Sequence, residues 1–170
     1  MSTKIRKLAR LREADMVRGF LVVYAAVCAL VGTASAHTYY FSGSGAGLVA
    51  FIDGDTIQSN GSNRTVWSLW VYTPPKKEAD GTIQYAMDED VYNCVGHTNV
   101  GLYTAGYTVT GASVSGGQLT PTSAPVVPDS LGEAVMNQAC NGIPKTSPPF
   151  TDVHQAIGYA NSIHGTGLAP

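Results

Sequence analysis

Arg64-Thr65-Val66-Trp67-Ser68-Leu69-Trp70-Val71-Tyr72-Thr73 is the stretch on which the fold turns. Val66, Trp70 and Tyr72 share one parity and Trp67, Leu69 and Val71 the other, so a strand here is apolar on both faces. Such a strand belongs in the middle of a sheet covered on both sides. Aromatic side chains bury large areas, which makes Trp67, Trp70 and Tyr72 core candidates. Short runs rich in Tyr, Val and Thr surround it, separated by Gly, Asn and Asp. His37–Phe41, Gly47–Ile52, Ile83–Val95 and Asn99–Thr110 therefore read as further antiparallel strands. Within Ile83–Val95 the apolar parity changes across Asp88-Glu89-Asp90, and a solvated β-bulge there accounts for it. Pro74 to Gly81 has the charge and turn chemistry of a solvated hairpin loop.

After these strands, Asp129-Ser130 with Glu133 predicts an N-cap and first turn for a helix over Leu131–Ala139. Leu131, Val135 and Met136 would lie on one face, with Cys140 at its end. Beyond it, Pro144, Pro148 and Pro149 resist regular structure. The stretch Asp152–Ile163 is only weakly amphipathic and contains Gly158. Residues 141–170 thus read as a peripheral tail with at most a short helix, outside a β-rich domain over residues 37–140. The expected fold class is α+β, a predominantly antiparallel sheet with one C-terminal helix packed on it.

The chain has 170 residues, 44% hydrophobic and 13% charged, which fits one globular domain and excludes disorder or a coiled coil. Its charge is uneven, because Lys4, Arg6, Lys7, Arg10, Arg12 and Arg18 precede an apolar run, Phe20–Val31, and then Ala34-Ser35-Ala36. That is the pattern of an export signal over residues 1–36, leaving His37 as the mature terminus. Met16 would serve equally as a start and yield the same product. The apolar run falls short of the roughly 20 residues a membrane span needs, so no span is expected after signal removal. The expected location is the periplasm, the outer membrane's periphery or the cell surface. Residues 37–170 carry four Lys or Arg against ten Asp or Glu, a net charge of −6. Without clustered cations, nucleic acid is not an expected partner. Cys28 leaves with the signal, and Cys94 and Cys140 remain as an even pair in an oxidising compartment, where a disulfide is the default.

The order of these landmarks resembles the surface-adhesin protein E family of small exported bacterial proteins. The residues that carry the likeness are Phe51-Ile52-Asp53 with Thr56-Ile57, Val66 through Tyr72, Tyr92-Asn93-Cys94, Tyr107, and Pro128-Asp129-Ser130 through Glu133 to Cys140. They span about His37–Cys140. The resemblance implies an antiparallel sheet packed by a C-terminal helix, a Cys94–Cys140 disulfide, and a non-catalytic binding or adhesion role at the cell envelope. Host or surface proteins would be the partners, and such a sheet is compatible with an edge-to-edge dimer. Asn93 stands where the family tends to have an acid, and the chain continues past Cys140, where the family usually stops.

Tyr39 and Tyr40, near the mature terminus and away from the central strand, are the expected exposed ligand-binding residues, since Tyr contributes strongly to interfaces. A processed His37 would offer its amine and imidazole to copper, with His97 as a second ligand, and a periplasmic copper-binding or copper redox protein is the alternative reading. Apart from that pair, no metal ligand set and no cofactor signature is present. Ile52-Asp53-Gly54-Asp55-Thr56-Ile57 resembles the opening of the staphylococcal-nuclease-like family. The Arg, Asp and Glu that would complete that site are here Ser68, Tyr72 and Pro75, which leaves the string as a turn. Gly-x-Ser-x-Gly, His-Glu-x-x-His and phosphate-loop motifs are absent, so no enzyme is expected.

Overall fold

A computed structural model describes residues 37–165; the expected export signal over residues 1–36, including Cys28, lies outside the described residues. Strands β1 (Tyr39–Gly45), β2 (Leu48–Asp53), β3 (Gln58–Asn60), β4 (Asn63–Glu78), β5 (Gly81–Asn93), β6 (Thr98–Tyr107), β7 (Ser113–Gln118), β8 (Ser123–Pro125) and β9 (Pro149–Phe150) form one antiparallel sheet. Its order is β7-β6-β5-β4-β2-β1-β9, with β3 paired to β4 and β8 to β6. β4 sits in the middle, as its two apolar faces require. Two helices, α1 (Leu131–Asn141) and α2 (Val153–Gly165), lie on opposite faces.

One face is the α1 face. Ala50, Ile52, Val66 and Tyr92 bury against Val135, Met136 and Ala139. Ser130 caps the helix by accepting from the Glu133 amide, while the Glu133 carboxylate accepts from the Asp129 amide at 2.8 Å, a reciprocal arrangement that satisfies two end donors. Gly142 ends it, its φ of 93° suiting a residue without a Cβ, and its N–H donates to the Gln138 carbonyl. Gln138 ties the helix to β1, donating to the Phe41 carbonyl and accepting from the Ser42 hydroxyl. Cys140, in the last turn, is bonded to Cys94 just past β5, with the Cα atoms 5.6 Å apart.

The other is the α2 face. Val49, Phe51, Leu69, Val71 and Tyr85 bury against Ala156, Ile157 and Ala160. Phe41, Phe51, Phe150 and Tyr159 cluster around them, Phe41–Tyr159 and Phe51–Phe150 both edge-on with ring centroids 5.5 Å apart. The tail expected to be peripheral therefore covers one of the two core clusters. Its amphipathicity is weak because alanines make the contact: Ala156 and Ala160 are fully buried one turn apart and let the helix approach the sheet closely. The helix also has a cap, since Asp152 accepts from the Gln155 amide and Gln155 from the Thr151 amide.

Register explains the parity change in β5. Asn63 to Val71 pairs with Tyr85 to Asn93 without a shift, so β5 itself has no bulge there. Tyr85 packs under α2 on one face and Tyr92 under α1 on the other. The extra residue is Leu102 in β6, between Tyr103 opposite Glu89 and Gly101 opposite Asp90. Pro74 to Asp80 is exposed, as expected of the loop, yet β4 continues through it: Lys76 pairs with Ile83 and Glu78 with Gly81. Both prolines fall in the interruption between Val71 and Lys76, where the ladder needs no donor. Between β1 and β2, Ala46 and Gly47 both have positive φ, and a Cβ on Gly47 would lie 2.8 Å from the Thr73 carbonyl oxygen.

Candidate functional site

Neither helix covers its face completely. On the α2 face the cover ends at Leu69 and Met87, and the next residues of the same parity are Trp67 on β4 and Glu89 on β5. Tyr103 on β6 pairs with Glu89, so Trp67, Glu89 and Tyr103 form one row across three strands. The two rings lean together over the middle strand, their centroids 5.8 Å apart and tilted by 54°. All three residues are half-buried, and Thr65 and Val91, opposite each other, continue the surface one row on. On the α1 face, beyond that helix, Tyr72, Lys76, Glu78, Ala86, Thr104 and Gly106 line an open groove of about 270 Å³.

The residues singled out by sequence scatter around this row. Tyr39 and Tyr40 point to opposite faces, as consecutive strand residues do. Tyr39 is buried under α2, 6% exposed, because the tail helix covers it, so the expectation that it is exposed does not hold. Burial first and the Asp53 carboxylate second push its phenol up to about 12. Tyr40 is half-buried beside the α1 cluster and lines a shallow depression with Ile143, Lys145 and Pro149. His37 places Nδ1 2.5 Å from Asp53 Oδ2. Asp53 is fully buried, and its other carboxylate oxygen accepts from the Asp55 amide, opening the 3-10 turn Gly54–Thr56. Burial raises the Asp53 pKa, with the His37 bond acting against it. His97 stands in the β5–β6 turn, separated from β1 by β2 and β4. Among the described residues no group of three or more His, Cys, Asp or Glu is placed to hold a metal ion.

Trp67, Trp70 and Tyr72, expected in the core, are all half-buried. Trp70 lies beside the α1 cluster and donates its indole N–H to Ser68 Oγ at 2.9 Å. The acidic triplet is not a solvated bulge either. Asp88 and Asp90 turn toward the α1 face, where Asp88 accepts from Thr104 Oγ1 and Asp90 is 9% exposed. Burial, then the neighbouring Asp88 carboxylate, push Asp90 up to about 6. Only Glu89 faces the row. Sequence reasoning missed that row because its signal is the pairing of Trp67, Glu89 and Tyr103, a register fixed over long range by the β4–β5 hairpin and the β6 bulge.

Residues 38–141 match the family model for surface-adhesin protein E. The chain is also similar to two solved structures. One is crystal form II of Haemophilus influenzae protein E, at 10% identity over 59% of this chain and 91% of that one, with a TM-score of 0.46. The other is protein E from non-typeable Haemophilus influenzae, at 14% identity over 79% and 92%, with a TM-score of 0.44. No curated protein matches. The matched segment is more than half of the 170 residues and holds β1 through α1 with both bonded cysteines, and the chain therefore belongs to the surface-adhesin protein E family.

Proposed function

We propose that the chain is an exported, non-catalytic protein of the cell envelope that binds host or other surface proteins, with residues 1–36 removed as a signal and residues 37–140 as its β-rich domain, buttressed by α2. The family match over residues 38–141 is the observation that carries this reading. The half-exposed aromatic row beside α2 supplies a surface suited to it, because Trp and Tyr are the residues that most often dominate protein interfaces. No helix among the described residues is long and apolar enough to cross a membrane. The exposed, small-residue edge strand β7 is compatible with an edge-to-edge dimer.

Geometry favours this reading over copper. An N-terminal histidine chelates a metal through its amine and Nδ1, and Nδ1 of His37 is engaged by Asp53. The experiment is to express the full chain, determine the intact mass of the exported product with and without reduction, and measure its binding to intact cells and immobilised matrix proteins. The expected result is the mass of residues 37–170 with both thiols blocked until reduction, and saturable binding. A retained segment 1–36, or no saturable binding to any surface, contradicts the proposal.

A further inference from the structure

We propose that the uncovered part of the α2 face is a docking surface for a cationic side chain, arginine or lysine, carried by a basic segment of the protein bound; this rests on the binding reading above and specifies its partner chemistry. The row places Glu89 on the strand between those of Trp67 and Tyr103, each directly opposite it in register, with the two rings leaning together above that strand. No described residue gives Glu89 an ion pair or a side-chain hydrogen bond. Among the described residues the cations lie elsewhere: His37 is engaged by Asp53, and Lys77 pairs in register with Thr82 in the β4–β5 hairpin. Arg64 lies on the other parity and donates to the carbonyls of Gly61 and Asn63. Lys76 pairs with Glu78 in the β4–β5 hairpin. Lys145 lies in the segment after α1, among the residues beside Tyr40.

An unpaired half-buried carboxylate in one row with two aromatic residues selects a cation twice over. The ring quadrupoles attract positive charge, and the carboxylate accepts charge-assisted hydrogen bonds. Val91 in the next row offers apolar surface to the aliphatic stem of a long cationic side chain. An apolar occupant would desolvate Glu89 without pairing it, and an anionic one would meet both Glu89 and the net charge of −6 on residues 37–170. A quaternary ammonium headgroup could sit against the rings but has no N–H to give Glu89, so a guanidinium or ammonium fits the row better.

The test uses the processed protein with Trp70→Phe, which leaves Trp67 as the only tryptophan. It is titrated with an arginine-bearing peptide, with the same peptide carrying citrulline, and with phosphatidylcholine vesicles, by tryptophan fluorescence and calorimetry. The arginine peptide is expected to bind saturably and more weakly as salt rises, and the citrulline peptide and vesicles not to bind. Glu89→Gln and Trp67→Ala are each expected to weaken the peptide roughly tenfold, Trp67→Phe much less, and Glu78→Gln in the hairpin not at all. Unchanged thermal midpoints show that the variants are folded. Equal binding of the citrulline peptide, unchanged affinity in Glu89→Gln, or binding of vesicles in place of peptide overturns the proposal. If Glu89→Gln still saturates on intact cells as the parent does, the docking proposal fails and the binding reading stands; if the parent saturates on no surface, both fail.

Discussion

α1 and α2 cover opposite faces of one sheet by different means. α1 brings Val135 and Met136, a cap at Ser130, a side-chain tie from Gln138 to β1 and a covalent bond to Cys94. α2 brings two alanines and an isoleucine and is held by close approach and the aromatic ring cluster, with no cross-link. The contrast teaches that a cover held by packing alone is harder to recognise from residue types than one with large side chains and a bond, although both bury cores of similar make-up.

The sharpest way to break this contrast is to place a charge under α2. Ala160→Glu puts a carboxylate at a fully buried position in the cluster that holds Tyr39 and Phe51, and is expected to cost about 3–5 kcal/mol or abolish cooperative unfolding. Far-UV circular dichroism during denaturant titration reads it; a wild-type midpoint would mean the helix is the peripheral element its sequence suggests. Next comes the bond that α1 has and α2 lacks. Cys94→Ser with Cys140→Ser should remove about 2–4 kcal/mol, since the cross-link closes a loop with a sequence separation of 46. Hydrogen exchange should then rise in α1 before α2, and the reverse order would mean that α1 does not depend on its cross-link.

The acid beneath the α1 side is expected to act through pH. Asp90, pushed up to about 6 from an ordinary 3.8, holds its proton more tightly folded than unfolded. Its contribution to stability is therefore fully present below about 4 and lost as pH rises through about 6. Asp90→Asn should raise stability at pH 7.5 by roughly 1–3 kcal/mol and flatten the profile between those limits. Denaturant midpoints across pH 4 to 8 check it. The smallest expected effect lies on the outer side of α2, where Gly158 is exposed with nothing within 4 Å of a built Cβ. Gly158→Ala should stabilise by about 0.5–1 kcal/mol, read as a rise in thermal midpoint.

Legibility in the sequence followed the range of the interactions. The two-faced pattern of Val66 to Tyr72 placed β4 in the centre because burial on both sides leaves its mark within one strand. Ser130 with Glu133 announced α1 because capping acts over three residues, and the two cysteines left after Cys28 announced their bond. The Asp152 to Gln155 cap carried the same local signal for α2, but alanines and Gly158 diluted the periodicity that would have confirmed it. Tyr39 read as exposed because its cover comes from a helix more than a hundred residues away. The row of Trp67, Glu89 and Tyr103 depends on register across two hairpins and the Leu102 bulge, none of which local residue types encode.

Saturation binding of the processed protein to intact cells decides whether the uncovered row is the binding surface, with the parent beside a Trp67→Ala, Tyr103→Ala double variant and beside Lys76→Ser in the groove on the other face. Binding at least about tenfold weaker is expected for the row variant, and an unchanged curve for the groove variant. A row variant that binds like the parent, or a loss confined to Lys76→Ser, would contradict that role of the row.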